Sequence, residues 1–308
     1  MKATFTAFDA VKVAFTAPTE NPTTLKEYPR MTSAAEPTGE GRVLHTPMTA
    51  VYPEFPGKVA VVTGAARGMG SRFTAALAAR GVHVVGGDLN AEQMTATADE
   101  LNASLATLAS HEQPGTVVGA GVDVTRAAEH EALARLALER FGRLDFWVNN
   151  AGIFPFALVE EITPEQINAT LSVNVEGVLF GAQAAARHLG PGGAIVNMSS
   201  VSAIRVRRGR GAYCTSKAAV AHLTESLAVE LGDKGIRVNA IAPGYIDTEM
   251  TRWVREDPAA LRHALDTVPL HRLGSPEEVV GPLLFLLSDS ARYVTGHSIA
   301  VDGGSRHV

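Results

Sequence analysis

The chain has 308 residues, of which 46% are hydrophobic and 19% are charged, and its formal net charge is −5. These values are typical of a globular protein with one large α/β domain, and the mild acidity gives no reason to expect nucleic acid or a membrane surface as a partner. Cys214 is the one cysteine, so an internal disulfide is excluded and a cytoplasmic location is favoured. No apolar run is long enough to span a bilayer, and the ten histidines show no metal-ligand spacing.

Residues 1–56 are predicted to form an irregular or disordered N-terminal extension, because they are rich in proline and lack a periodic apolar pattern. Met31 and Met48 lie within this segment, so translation starting at one of them is one hypothesis. An arm that packs on a neighbouring subunit is the alternative.

The first regular elements are expected directly after this segment. An apolar run at Val59 to Val62 predicts a buried strand, TGAARGMG (63–70) a glycine-rich turn, and residues 71–80 a helix. A second apolar run, 82–85, leads to Asp88. This unit indicates dinucleotide binding, since the glycines let a pyrophosphate approach the helix N-terminus. Asp88 could accept hydrogen bonds from the adenosine ribose and favours NAD, whereas Arg67 could reach a 2′-phosphate and leaves NADP open.

The rest of the chain alternates between apolar runs and helical stretches. It predicts a Rossmann-type, doubly wound α/β sheet of about seven parallel strands with helices on both faces, built by residues 57–308. Further strands are expected near 116–122, 144–148, 194–198, 236–242 and 298–301. Helices are expected near 91–108, 126–141, 164–189, 212–232 and 276–288.

Polar residues follow or interrupt several of these elements. Asn149 and Asn150 end a strand, where they could bridge neighbouring strands, line a cofactor cleft or form an ordinary turn. Ser200 also follows a strand, and its hydroxyl could cap a turn or donate to a substrate carbonyl. Asn174 falls within a predicted helix, where an asparagine is either solvated or holds a water in a proton relay.

Tyr213 and Lys217 lie four residues apart in a predicted helix and therefore share a face. A nearby ammonium favours the phenolate, so we expect the Tyr213 pKa to fall below its ordinary value of about 10, and further when an oxidised nicotinamide is bound. Such a phenol can act as a general acid or base.

These motifs together resemble the short-chain dehydrogenase/reductase family, in its compact single-domain branch. TGAARGMG, NNAG (149–152), Asn174, Ser200, Tyr213-x-x-x-Lys217 and IAPGYIDT (241–248) follow the family's order and spacing, and the resemblance covers residues 57–304. It implies NAD(P)-dependent interconversion of a secondary alcohol and a ketone, a small-molecule substrate, and a homo-oligomer, either tetramer or dimer.

The resemblance also implies roles for individual residues. Tyr213 is expected to be the general acid/base, Lys217 to lower its pKa and hold the nicotinamide ribose, Ser200 to polarise the carbonyl, and Asn174 to position a relay water. Residues 245–274, rich in charge, correspond to the family's substrate lid. The expected cofactor contacts are Gly64, Arg67, Gly68, Met69, Gly70, Asp88, Asp123, Val124, Asn150, Ala151, Gly152, Tyr213, Lys217, Pro243, Gly244, Ile246 and Thr248.

The substrate is less constrained by the sequence. A loop between Ser200 and Tyr213 carries four arginines, which could bind an anionic dihydrodiol, hydroxy acid or 3-oxoacyl substrate, or form a solvated or subunit-contact surface. Apolar side chains nearby could line a pocket for a cyclic or aromatic alcohol, or belong to the core. The four arginines are Arg205, Arg207, Arg208 and Arg210, and the apolar residues are Ile153, Phe154, Phe156 and Trp253.

The sequence disfavours two other functions. A dinucleotide-binding regulator without chemistry is disfavoured by the intact Ser200, Tyr213 and Lys217. An epimerase or dehydratase of the family's extended branch shares Tyr-x-x-x-Lys, but its different glycine spacing and longer substrate domain are not seen here.

Overall fold

The computed structural model describes residues 51–108 and 113–308. Seven parallel strands form one sheet in the order β3-β2-β1-β4-β5-β6-β7. This confirms the predicted fold class. The strands are β1 (Val59–Thr63), β2 (His83–Asp88), β3 (Val117–Gly121), β4 (Phe146–Asn149), β5 (Ala194–Met198), β6 (Arg237–Pro243) and β7 (Ser298–Val301).

Helices cover both faces of this sheet. One face packs against α1, α2 and α9, and the other against α3, α5 and α6. The α-helices are α1 (Gly68–Ala78), α2 (Ala91–Leu108), α3 (Ala127–Phe141), α4 (Pro164–Leu171), α5 (Gly177–His188), α6 (Gly211–Gly232), α7 (Arg252–Glu256), α8 (Pro258–Asp266) and α9 (Pro276–Leu287).

Strand β1 shows why the sequence builds two cores. All five of its residues are buried, and successive side chains point to opposite faces. Ala60 and Val62 belong to the core under α1 and α9, whereas Val59 and Val61 belong to the core under α3 and α5. The continuous apolar run is thus explained by burial on both faces, as expected for a parallel sheet.

The predicted helix at 164–189 is divided in the structure. Helix α4 ends at Leu171, a π-helical turn covers Ser172–Glu176, and α5 continues from Gly177. The charged segment 245–274, expected as a polar excursion, holds the short helices α7 and α8.

The predicted extension falls mostly on residues 1–50, which lie outside the described residues. Residues 51–56 pack on the domain. Phe55 is fully buried, and its ring stacks on Tyr52 and contacts Phe146. Packing on the domain therefore reaches back to Tyr52, before the predicted boundary at residue 57.

The strand order reverses direction between β1 and β4, which lie side by side although β2 and β3 separate them in the chain. In open α/β sheets, a ligand cleft forms outside the carboxyl ends of the strands at such a point. Within the described ranges, no helix is long and apolar enough to cross a membrane.

Candidate active site

The glycine turn between β1 and α1 lies at this reversal point. Gly64 has a φ of 65°, and a Cβ on Gly70 would lie 2.0 Å from the backbone oxygen of Gly64. Both positions therefore require glycine, the first for its conformation and the second for close packing. Arg67 precedes α1 without a side-chain cap, so the N–H groups of the first helical turn remain available to an anion.

Asn150 holds this turn in place. Its side-chain nitrogen donates to the backbone oxygens of Thr63 and Gly64, at 3.0 and 2.9 Å. The Thr63 hydroxyl oxygen accepts the backbone N–H groups of Asn150 and Ala151 in return. Thr63 was not singled out from the sequence, although it opens the TGAARGMG motif.

Two carboxylates lie at the carboxyl ends of β2 and β3. Asp88 accepts the backbone N–H groups of Ala66 and Asn90, each at 3.1 Å, so its side chain is fixed beside the glycine turn. Asp123 accepts both the backbone N–H and the hydroxyl of Thr125, at 3.0 and 2.7 Å. Val124 is buried next to it. Asp88 is thus placed to meet a ribose bound along the turn.

Asn149 bridges strands, as one of the sequence interpretations had it. Its side-chain nitrogen donates to Asn197 Oδ1 on β5 at 2.9 Å, and its oxygen accepts the indole N–H of Trp147 at 2.8 Å. Asn197 donates in turn to the Thr224 hydroxyl on α6 at 3.0 Å. This buried chain of hydrogen bonds ties β4 and β5 to the helix that carries Tyr213.

Ser200 lies close enough to Tyr213 for its hydroxyl to lower the pKa of the phenol. Ser200 follows β5, and its hydroxyl oxygen accepts the Ser202 N–H at 3.1 Å. Burial nevertheless raises the pKa of Tyr213 to about 12, opposite to the predicted direction. Desolvation outweighs the effects of Ser200 and of the nearby cations Arg210 and Arg207.

Lys217 is buried one turn after Tyr213. Its ammonium donates to the Met198 backbone oxygen at 2.8 Å and lies 5.7 Å from the centre of the Tyr213 ring. Burial lowers the Lys217 pKa to about 8. A Cβ on Gly152 would lie 3.5 Å from Lys217 Nζ, so the NNAG segment and the Tyr213 helix meet here.

Asn174 lies in the π-helical turn and is fully buried, so the solvated alternative is wrong. Its side chain accepts the N–H of Ile153 at 2.8 Å and donates to the Ile153 oxygen at 2.9 Å. It also donates to the Ser216 hydroxyl, which donates to the backbone oxygen of Tyr213. The Asn174 side chain therefore couples the segment after β4 to the catalytic helix.

The remaining predicted cofactor residues follow β6 on the same edge of the sheet. Ser200 Oγ donates to the Pro243 oxygen at 3.4 Å, and a Cβ on Gly244 would lie 2.8 Å from Asp302 Cα. Ile246 is buried, and the Thr248 N–H donates to Thr251 Oγ1 at 3.0 Å. The loop after β6 is thereby held against Ser200.

The four loop arginines fall into different environments. Arg205 donates to the backbone oxygens of Thr267 and Ser305, so its role is to join segments. Arg208 is exposed. Arg207 lies with its guanidinium carbon 4.2 Å from the centre of the Tyr245 ring. Of the four, only Arg208 fits the alternative of a solvated loop.

Arg210 is only 8% exposed and lies among aromatic rings. Its guanidinium carbon is 3.9 Å from the centre of Phe154, 4.7 Å from that of Trp253 and 5.1 Å from that of Phe156. Phe154 meets Tyr213 edge to face, with ring centres 4.5 Å apart. The aromatic residues and the arginine thus form one structure beside Tyr213. Cys214, the residue after Tyr213, is also buried.

Comparison with known proteins agrees with this fold and site. The family model described as enoyl-(acyl carrier protein) reductase matches residues 64–306. An L-rhamnose 1-dehydrogenase (NAD(P)(+)) of Azotobacter vinelandii is 39% identical over 250 residues, which cover 80% of this chain and 96% of that protein. A trans-4-hydroxycyclohexanecarboxylate dehydrogenase of Sinomonas cyclohexanicum is 36% identical over 248 residues, covering 80% and 92%.

A solved structure of a short-chain type dehydrogenase/reductase from Mycobacterium ulcerans superimposes with a TM-score of 0.78 at 31% identity, covering 84% of this chain and 92% of that one. The fold and the matches define an NAD(P)-dependent oxidoreductase that acts on CH–OH groups. The chain belongs to the short-chain dehydrogenase/reductase family.

Proposed function

We propose that this protein interconverts a secondary alcohol and a ketone with Tyr213 as the general acid/base, and that it prefers NAD to NADP. The observation that carries the assignment is that Ser200 and Tyr213 lie close together at the carboxyl ends of the strands, beside the glycine turn. A hydroxyl donor and a titratable phenol at one point are what a carbonyl oxygen requires.

In alcohol oxidation, the Tyr213 phenolate accepts the proton of the substrate hydroxyl while Ser200 donates a hydrogen bond to the same oxygen. A bound nicotinamide would supply the redox chemistry, as the acceptor of the hydride from the carbinol carbon. In ketone reduction, the Tyr213 phenol returns the proton to the developing alkoxide. The ammonium of Lys217 favours the phenolate electrostatically, since it lies on the same helix face.

The residues present fit a dinucleotide. The Gly68 backbone faces open space, with no atom within 4 Å of where a Cβ would lie, and the N-terminus of α1 follows directly. The pyrophosphate would be held there, and Gly152 and Lys217 would hold the nicotinamide ribose. The preference for NAD rests on Asp88, because a fixed carboxylate beside the turn repels a 2′-phosphate.

The test is a cofactor-reduction assay with NAD and NADP against a panel of secondary alcohols and hydroxy acids. Tyr213→Phe removes the proton-transfer group and leaves the ring packed on Phe154. We expect it to lower kcat by at least about 1,000-fold with cofactor affinity unchanged. Retained turnover would show that the phenol has no chemical role, whereas no turnover of any alcohol by the wild type would favour the regulator.

A ring alcohol that bears a carboxylate is one substrate class that the relatives support, since one of them is named for trans-4-hydroxycyclohexanecarboxylate. The aromatic side chains of Phe154 and Trp253 near Tyr213 offer an apolar wall for such a ring. The panel should therefore include 4-hydroxycyclohexanecarboxylate.

A homo-oligomer, either tetramer or dimer, and a cytoplasmic location are further proposals, supported by family membership. Light scattering of the purified full-length chain tests the first, and a monomeric mass at micromolar concentration would contradict it. Fractionation of the host cell tests the second.

A further inference from the structure

Two guanidinium groups beside the catalytic tyrosine have no acidic partner in residues 51–108 and 113–308. Arg207 and Arg210 take part in none of the ion pairs found there, and Arg207 Nη2 is buried without a hydrogen-bond partner. A buried cation without a counter-charge is costly and calls for an explanation.

The acids of the neighbouring 245–274 segment do not supply the missing charge. Asp247 pairs with Arg255 at 2.8 Å, and Glu249 and Glu256 both pair with Arg252. Asp247, Glu249 and Glu256 are therefore already paired within the segment. The positive charge of Arg207 and Arg210 is left for something else.

The location of the pair points to the substrate. One phenyl ring, that of Phe154, separates the Arg210 guanidinium from the Tyr213 ring. Arg207 lies over Tyr245, directly after Gly244 at the end of β6. Both guanidinium groups are close enough to Tyr213 to act on its phenol electrostatically.

The guanidinium carbon of each arginine lies over an aromatic ring, that of Tyr245 for Arg207 and that of Phe154 for Arg210. A stacked guanidinium presents its donors in a fixed plane, which suits two-point binding of a carboxylate. Water does not require two donors in such a fixed arrangement.

We propose that Arg207 and Arg210 bind a carboxylate of the substrate and thereby place its carbinol carbon at Ser200 and Tyr213. The spacer that fits is about one six-membered ring: the Arg210 guanidinium carbon lies 3.9 Å from the centre of Phe154, which lies 4.5 Å from that of Tyr213, so a substrate would span a similar distance alongside Phe154. The inference rests on the proposed function of the site and names its substrate class, a cyclic hydroxy or oxo carboxylate.

The experiment measures binding rather than turnover. Cyclohexanecarboxylate and cyclohexanecarboxamide have the same shape and differ in charge, and calorimetry gives the affinity of the full-length protein for each, with and without saturating NAD. We expect the wild type to prefer the carboxylate by about 10- to 100-fold, as charge-assisted hydrogen bonds to a buried guanidinium imply. Arg207→Gln and Arg210→Gln should each reduce this preference to within about threefold.

Arg208→Gln is the matched control, because it removes the same charge from an exposed position in the same loop. It should retain the full preference. Arg207→Lys keeps the charge without the planar fork and should retain part of it. If the arginines served only to hold the aromatic rings, the Gln variants would have the same ratio of the two affinities as the wild type, because both probes fill the same space.

Equal affinity for the two probes in the wild type overturns the proposal, as does an unchanged ratio in both Gln variants or the absence of any binding. Failure of the proposed function is seen separately, as absence of turnover of every alcohol in the cofactor-reduction panel. Alcohol turnover with no carboxylate preference would reject the arginine site alone.

Discussion

The side-chain nitrogen of Asn150 lies 2.9 Å from the backbone oxygen of Gly64 and 3.0 Å from that of Thr63. Strand β4 thus fixes the shape of the turn that follows β1, although 86 residues separate Asn150 from Gly64. The turn is shaped before any ligand arrives, so binding need not order it.

Asn150→Ala removes both hydrogen bonds and leaves the two oxygens without this donor. We expect cofactor affinity to fall by about 10-fold, because a loosened turn must be ordered on binding. Fluorescence titration with NADH measures this. Asn168→Ala, an exposed asparagine on α4, is the control and should bind as the wild type does. Unchanged affinity in Asn150→Ala would show that the glycines alone shape the turn.

Asp88→Asn tests the basis of cofactor choice. The amide keeps an oxygen for the N–H groups of Ala66 and Asn90 but carries no charge to repel a 2′-phosphate. We expect kcat/KM with NADP to rise about 10-fold and that with NAD to fall several-fold. Asp99→Asn, on the exposed side of α2, removes the same charge and should change neither value. An unaltered NAD-to-NADP ratio in Asp88→Asn would place the discrimination elsewhere.

Lys217 makes stability depend on pH. Burial lowers its pKa to about 8 in the folded protein, whereas the unfolded chain holds the proton to about 10.5. The unfolded state binds more protons between these values, so the free energy of unfolding rises with pH. We expect the cofactor-free wild type to gain about 2 kcal/mol relative to Lys217→Met between pH 7.5 and 9.5. Urea unfolding at the two pH values measures it, and parallel changes in both proteins would contradict the assignment.

Gly181 on α5 allows the bond between Trp147 and Asn149. A Cβ there would lie 2.1 Å from Asn149 Oδ1 and 2.7 Å from Trp147 Nε1. Gly181→Ala should lower the free energy of unfolding by about 2–4 kcal/mol through overpacking and loss of the buried hydrogen bond. Gly232→Ala, at the end of α6, has open space and should be neutral or stabilising by up to about 1 kcal/mol. Equal effects of both changes, measured by urea unfolding, would argue against the packing explanation.

The sequence predicted the inner strands because each is largely a buried apolar run, as at β1 and β5, whereas the edge strands β3 and β7 are less buried. It also placed Ser200, Tyr213 and Lys217 on one edge of the sheet, since a strand end and a helix face can be inferred from spacing. These inferences depend on local order, which a short segment of sequence contains.

The environment of these groups depends on contacts across the fold. The Tyr213 pKa was predicted to fall because Lys217 lies one helical turn away. The burial that raises this pKa comes from other segments of the chain. The aromatic rings around Arg210 come from distant parts of the chain. Phe154 and Phe156 follow β4, whereas Trp253 lies far along the chain. The π-helical turn at Asn174 follows from its bonds to Ile153 and Ser216. No short window of sequence contains these partners.

The position of Cys214 gives the protein a built-in reporter. It is the one thiol in the chain, and it is buried in the first turns of α6, next to Tyr213. Alkylation of the native protein therefore requires local opening at the start of this helix. Its rate measures how often the first turns of α6, which carry Tyr213, unfold locally. Cysteines introduced at surface positions could be labelled with little reaction at Cys214. The chain can therefore be used for distance measurements between such labels without first replacing its own cysteine.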